Sequence, residues 1–141
     1  MSARRFVDSN VVVYAYDRSA PGKQAVAQDL LKQGVLDAGI VISVQVLGEF
    51  FNAVTRRIEK PMTADEAREA VDRIKVIPVT DLDLQLVERA IDTHQQYHIS
   101  YWDSMIVASA EKAGCTEILS EDLNEGQSYH GITVVNPFAL C

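Results

Sequence analysis

Two kinds of apolar pattern alternate along this chain, and their alternation restricts the fold more than any other feature. Phe6-Val7, Ile40-Val41-Ile42, Lys75 to Val79, Ile118-Leu119 and Ile132 to Val135 are brief and rich in β-branched residues, as strands buried on both faces are. Between them lie helical periods. After Ser43, residues Val46, Leu47, Phe50, Phe51, Val54 and Ile58 form one stripe at about 3.6 residues per turn. Thr63 and Glu66 have the spacing of a capping box, opening a helix that carries Ala67, Ala70, Val71 and Ile74. Two more helices are expected, from about Leu82 to Tyr97 and from about Tyr101 to Ala113, with Gly114 as the stop. Buried strands joined by such helices imply right-handed crossovers. The predicted class is therefore α/β, a three-layer α/β/α sandwich around a mostly parallel central sheet. With no repeat and no Pro/Gly/Ser-rich linker, the 141 residues are expected to form one domain, 1–141.

Charge narrows the function classes. Thirteen Lys and Arg against 20 Asp and Glu give a net charge of −7, which excludes binding of polyanions through bulk positive charge. Cys115 and Cys141 match no zinc spacing and are too few for a disulfide scaffold, so free thiols are expected. Asp8 interrupts the N-terminal apolar run before it could be a signal-peptide core, and no window approaches a membrane span. Cytoplasmic is the expected compartment.

In open parallel sheets ligands bind outside the carboxyl ends of the strands, and the helices that follow start at that edge. This rule turns scattered acids into a candidate site. Asp8 follows the first strand and Glu49 lies in the second turn of the helix after the second. Asp103 opens the helix that leads into the strand around Ile118, and Asp122 stands just beyond that strand. Asp103 also falls, at about 100° per residue, on the stripe of Ile106, Val107 and Ala110, where an acid calls for a partner.

Each acid has a plainer reading. Asp8, with Ser9 and Asn10, could cap a helix; Asp103 could close a first turn behind Ser100; Glu49 shares a polar face with Gln45, Asn52 and Arg56; and Asp122 could be an ordinary loop residue beside Glu121. Their coincidence on one edge favours a site. Converging carboxylates repel, and proteins tolerate them by protonation or by binding a cation. An all-oxygen donor set suits Mg²⁺ or Mn²⁺ rather than Zn²⁺. Such an ion serves phosphoryl chemistry by activating water and stabilising the leaving oxygen.

These residues resemble the PIN-domain ribonucleases, and within them the VapC toxins of prokaryotic toxin–antitoxin pairs. The resemblance runs from Phe6-Val7-Asp8-Ser9-Asn10 through Ser43 to Phe50 with Asn52, then Ser100 to Ser104, Leu119 to Gly126, and Asn136-Pro137-Phe138. It implies a three-layer parallel fold and a Mg²⁺- or Mn²⁺-dependent endoribonuclease that leaves 5′-phosphate and 3′-hydroxyl ends. The implied acidic cluster falls on Asp8, Glu49, Asp103 and Asp122, with secondary contacts from Ser9, Ser120 and Asn124. It also implies an RNA substrate, a homodimer and a cognate antitoxin of the VapB type.

Arg56, on the polar face of Glu49, and Asn52 are candidate RNA contacts, although a basic helix end is commonly just solvated. Arg4 and Arg5 precede the first strand and belong at the opposite edge. His94 and His98 have metal-pair spacing without a third ligand, and His130 has no acid or nucleophile in a recognisable relation to it. Tyr97, Tyr101 and Trp102 could serve core, dimer or partner. Two rival functions remain open at this point. One is a receiver-like, Mg²⁺-binding phospho-acceptor domain; the other is a non-catalytic member of the same fold that binds RNA or protein.

Overall fold

The computed structural model describes residues 3–140. Six strands form one sheet: β1 (Arg4–Val7), β2 (Ile40–Ser43), β3 (Val79–Thr80), β4 (Cys115–Leu119), β5 (Ser128–Tyr129) and β6 (Ile132–Val135). Their spatial order is β3-β2-β1-β4-β6-β5, parallel throughout except for β5 at the edge. Phe6 stands beside Val41 on one side and Ile118 on the other, and all three are buried.

The helices form two groups. α1 (Ser9–Tyr14) packs on α2 (Pro21–Leu36) and on α3 (Val44–Arg56), and α3 packs on α4 (Ala64–Ile74). α5 (Leu84–Tyr97) pairs with α6 (Tyr101–Lys112), and α6 lies against β2, β4 and β6. The expected three-layer sandwich is the architecture found. The largest buried side chains, among them Phe6, Phe50, Ile106, Ile118 and Tyr129, come from both helix groups and the sheet.

Local chemistry explains most boundaries. Ser43 caps α3 by accepting the Val46 N–H, and Thr63 with Glu66 forms the expected reciprocal capping box at 3.1 and 2.9 Å. Asp83 caps α5, so that helix starts at Leu84 rather than at Leu82. α6 runs to Lys112, and Gly114 after it takes φ +73°, the left-handed conformation that ends helices.

Three elements depart from expectation. The stretch from Lys75 to Val79 is mostly a turn: Lys75 caps α4, and the Ile77 N–H returns to the Ile74 carbonyl. Pairing starts only where the Pro78 carbonyl accepts the Ile42 N–H, which leaves β3 with two residues. α1 and α2 were not expected. α1 is six residues containing three consecutive valines, which read equally well as strand, and α2 fully buries only Ala27 and Gly34; Val26, Leu30 and Leu31 pack half-buried beside them, while exposed Val35 and Leu36 blur that stripe. β5 is too short to show a period.

The histidines are structural. His130 sits at positive φ in the β5–β6 turn, between Arg89 and Thr93. His98 ends α5 in the left-handed region, and His94 bonds the Ile99 carbonyl. Tyr97 packs edge-on against Tyr129 and His130, whereas Trp102 is exposed beside Tyr101. Cys115 is a buried free thiol whose pKa burial pushes up to about 11. Cys141 lies outside the described residues. Arg4 reaches the Ala113 carbonyl, at the amino end of the strands as expected. Among the described residues no helix is long and apolar enough to cross a membrane.

Close approach of α2 to β2 depends on Gly34. A Cβ there would meet three side-chain atoms of Ile40 at 2.6–2.7 Å. Gly34→Ala is expected to lower stability by about 1–3 kcal/mol, the usual range for overpacking; an unchanged urea-unfolding midpoint would show that this contact yields freely.

Candidate active site

The order of the strands locates the site. β1, β2 and β3 proceed outward in one direction, whereas β4 and β6 lie in the other, so the sheet reverses between β1 and β4. A crevice opens at the carboxyl ends of the strands at such a switch point. Asp8 leaves β1 there and Ser120 leaves β4 beside it, joined by the Asp8 N–H to the Leu119 carbonyl at 3.0 Å. The order also differs from the 2-1-3-4-5 arrangement of receiver domains, which removes that rival.

Asp8 is at once the N-cap of α1 and the deepest acid of the cluster, at 4% exposure. Its Oδ1 accepts the Ser9 N–H at 2.7 Å, and its Oδ2 accepts the Ser120 hydroxyl at 2.8 Å and the Asn10 amide at 3.2 Å. Burial pushes its pKa up to about 6; the Ser120 and Ser9 donors oppose this, and the charges of Glu49 and Asp122 add to it. Capping and site are therefore the same residue doing both.

Ser120, fully buried, organises the opposite wall. Its Oγ accepts the N–H groups of Asp122 and Leu123 at 3.1 and 3.3 Å while donating to Asp8. Asn10 was not among the expected site residues, yet it links the two walls. Its Nδ2 lies 3.2 Å from both Asp8 Oδ2 and Asp122 Oδ2 and 3.3 Å from Ser120 Oγ, and its Oδ1 accepts the Glu121 N–H at 3.0 Å. The available signal was an amide two residues after Asp8, on the first turn of a helix too short to recognise.

Glu49 and Asp122 are exposed and line one cleft of about 540 Å³ together with Ser9, Asn10 and Asn52. Gln45, 8% exposed, donates to Glu49 Oε2 at 3.4 Å and to the Trp102 carbonyl at 3.2 Å, tying α3 to the start of α6. Asp103 is half-buried behind its cap Ser100, which accepts the Asp103 N–H at 3.1 Å. Burial raises its pKa, with the Asp122 charge adding. It is outside the cleft lining.

Other expected residues separate. Asn124 bonds Gln127 rather than the acids, and Arg56 does not line the cleft, whereas Arg57 does. Glu121 is paired with Lys23 and accepts the Tyr14 hydroxyl at 2.8 Å, which holds its carboxyl below the usual range against the effect of burial. It is a strut of the rim.

The donor chemistry fits a hard cation, since every acid in the cluster offers oxygen and Asp8 is deeply buried beside two other carboxylates. Gln45 Oε1 is a further buried oxygen with no donor. Among the described residues, however, no three acidic, His or Cys side chains stand close enough to hold an ion as placed. The Asn10 amide lies between Asp8 and Asp122.

Asp8 generates a pH prediction for the metal-free protein. Its folded pKa of about 6 lies above the ordinary carboxylate value, so the folded state binds the extra proton. The penalty for its charge is full above pH 6 and fades as pH falls toward about 4. Carboxyl NMR should show an Asp8 midpoint near 6, and Mg²⁺ should lower it. A midpoint near 4 without metal would contradict the burial account.

Comparisons with known proteins agree with this geometry. The PIN domain family matches residues 5–124. Comparison with curated proteins gives no match. VapC20 of Mycobacterium tuberculosis, described as a Sarcin-Ricin loop cleaving toxin, aligns at TM-score 0.61 and 20% identity, over 84% of this chain and 89% of that one. A toxin–antitoxin complex from Klebsiella pneumoniae aligns at TM-score 0.66 and 18% identity, over 96% and 98%. DNA-bound VapBC from Salmonella typhimurium aligns at 0.68 and 17%, over 94% and 97%. At these identities the structures share the fold; the family match, spanning most of the chain and its crevice residues, makes this protein a member of the PIN domain family.

Proposed function

We propose that this chain is a metal-dependent endoribonuclease, the VapC-type toxin of a prokaryotic type II toxin–antitoxin system. The observation that carries the reading is the junction of Asp8, Ser120, Asn10 and Asp122 at the sheet's switch point, facing Glu49 across a cleft in a PIN-family chain. Asp8, Glu49, Asp103 and Asp122 would hold Mg²⁺ or Mn²⁺. That ion, when bound, lowers the pKa of water and offsets charge on the phosphoryl oxygens.

The chain's own groups do the rest. Ser9 N–H and the Ser120 hydroxyl fix the Asp8 carboxylate from two sides, so its oxygens cannot rotate away. Ser120 also holds the backbone at Asp122, setting the separation of the two acids. Gln45 orients Glu49 and links it to the segment that carries Asp103. Asn10 donates to both Asp8 and Asp122, so its amide would have to give up one of these contacts if the two acids were to hold a cation together, and it would stay available as a hydrogen-bond donor at the site. Asn52 lines the cleft where the substrate backbone would pass.

The toxin role brings a VapB-type antitoxin, a homodimer and a cytoplasmic setting into the proposal. The toxin–antitoxin complexes among the similar structures support the antitoxin partner. Asp8→Asn and Asp103→Asn are each expected to reduce Mn²⁺-dependent cleavage of total RNA by about 100-fold or more, beyond the usual loss for supporting groups, and chelator should abolish it. Product ends should be 5′-phosphate and 3′-hydroxyl. Cleavage that survives either substitution or chelator would contradict the reading, and metal binding without cleavage of any RNA tested would leave a non-catalytic binding module.

A further inference from the structure

The cleft that contains Glu49 and Asp122 is poor in positive charge. Asp17, Glu59 and Glu121 line it too, with Arg57 the one cation among the described residues, and the whole chain carries −7. A single strand of RNA that reaches these acids therefore needs a source of affinity other than attraction for its phosphates. Stacking of bases on aromatic side chains is such a source, since every base has a π-face and the contact carries no net charge.

Trp102 is the single tryptophan of the chain. It is 59% exposed, although it belongs to the first turn of a helix whose residues from Ser104 to Ala110 are all buried. Gln45 ties its backbone to the acids. One amide nitrogen of Gln45 donates both to the Trp102 carbonyl, at 3.2 Å, and to Glu49 Oε2, at 3.4 Å. The next residue in the chain is Asp103, so two of the four acids adjoin this tryptophan. Tyr101 packs against the small core cluster of Leu86, Ala90, Met105 and Ala108 and meets the indole edge-on, with ring centroids 5.0 Å apart and planes at 74°. An aromatic surface braced in this way loses little freedom when a ligand stacks on it.

The same surroundings decide what covers the indole. Charged residues are depleted in the core of a protein interface, because burying them unpaired is costly. A protein surface that sealed Trp102 would desolvate Asp103 and Glu49 with it. A nucleobase covers one face of the ring and leaves the carboxylates free.

We propose that Trp102, braced by Tyr101, is a stacking platform for a base of single-stranded RNA that flanks the scissile bond, an inference that rests on the nuclease reading. The platform supplies affinity that the charge of the cleft does not. It acts on binding through a neutral contact, so its loss raises KM, leaves kcat nearly unchanged and does not alter the salt dependence of binding.

Because the chain has one tryptophan, its own fluorescence is the test. The protein, in chelator so that no RNA is cut, is titrated with a short single-stranded RNA and with an abasic oligomer of the same length and charge. The RNA should quench Trp102 emission and protect it from acrylamide; the abasic oligomer should do neither. Anisotropy of the same RNA labelled with fluorescein should show binding weakened about 10-fold by Trp102→Leu, within the range for one stacked base, and little changed by Trp102→Phe. The slope of log K against log salt should be the same in wild type and Trp102→Leu, since no phosphate contact is lost; thermal unfolding is the fold control. RNA that binds without quenching, equal quenching by the abasic oligomer, or no binding at all in chelator overturns the platform. So does emission already blue-shifted and shielded from acrylamide before RNA is added, since a second copy of the chain then covers Trp102. Cleavage is scored separately: base-dependent quenching in a wild-type protein that cuts nothing with Mn²⁺ removes the nuclease reading and keeps the platform as an RNA contact, and cleavage with a KM indifferent to Trp102→Leu does the reverse.

Discussion

The buried carboxylate of Asp8 is the group on which the site depends. It stands where β1 ends, caps α1 through the Ser9 N–H, and takes the Ser120 hydroxyl from the end of β4. A carboxylate at 4% exposure beside two other acids is costly to ionise. Its neighbours relieve that cost only in part. A site that keeps such a group under strain of desolvation is suited to a ligand that favours the charged form, and a divalent cation is the strongest such ligand.

From Asp8 the arrangement extends outward along two walls. Ser120 fixes the loop carrying Asp122, and Asn10 bridges the same two acids with one amide while its carbonyl holds the backbone at Glu121. Gln45 couples Glu49 to the first turn of α6. The four acids thus belong to segments tied to one another by hydrogen bonds, although their carboxylates have not closed to coordinating distance. Glu49 and Asp122 are exposed on the cleft wall, whereas Asp8 is buried and Asn10 bridges it to Asp122.

Much of the fold was legible in the sequence because buried parallel strands and strongly amphipathic helices write their periods plainly. β2, β6, α3 and α4 lie close to where the apolar pattern and the capping box put them. α2 was missed because its stripe of Val26, Leu30 and Leu31 around buried Ala27 and Gly34 is only half-buried and is blurred by exposed Val35 and Leu36, and α1 was hidden because its valines read equally well as strand. The Lys75 to Val79 run misleads in the other direction: it is apolar, but Pro78 and the turn closing α4 leave two residues for pairing. At the site, the topological rule put Asp8 and Asp122 at strand ends and Glu49 in the early turns of the helix that starts from the same edge, and the structure has Glu49 and Asp122 lining one cleft beside Asn10. Asn10 and Gln45 each touch a neighbouring acid, Asp8 and Glu49, but their bridging role was missed because the far ends of the bridges, Asp122 and the Trp102 carbonyl, are 112 and 57 residues away in the chain, a relation that spacing does not carry. Arg57, the C-cap of α3, lines the cleft where Arg56 does not.

The central claim is that these acids form one divalent-cation site. The most direct measurement is an anomalous-diffraction map from crystals soaked in Mn²⁺. A peak within coordinating distance of the Asp8 and Asp122 carboxylates, with the Asn10 amide displaced from one of them, is the result predicted. Crystals that take up no Mn²⁺ at that crevice, with Asn10 still bridging both acids, would contradict it.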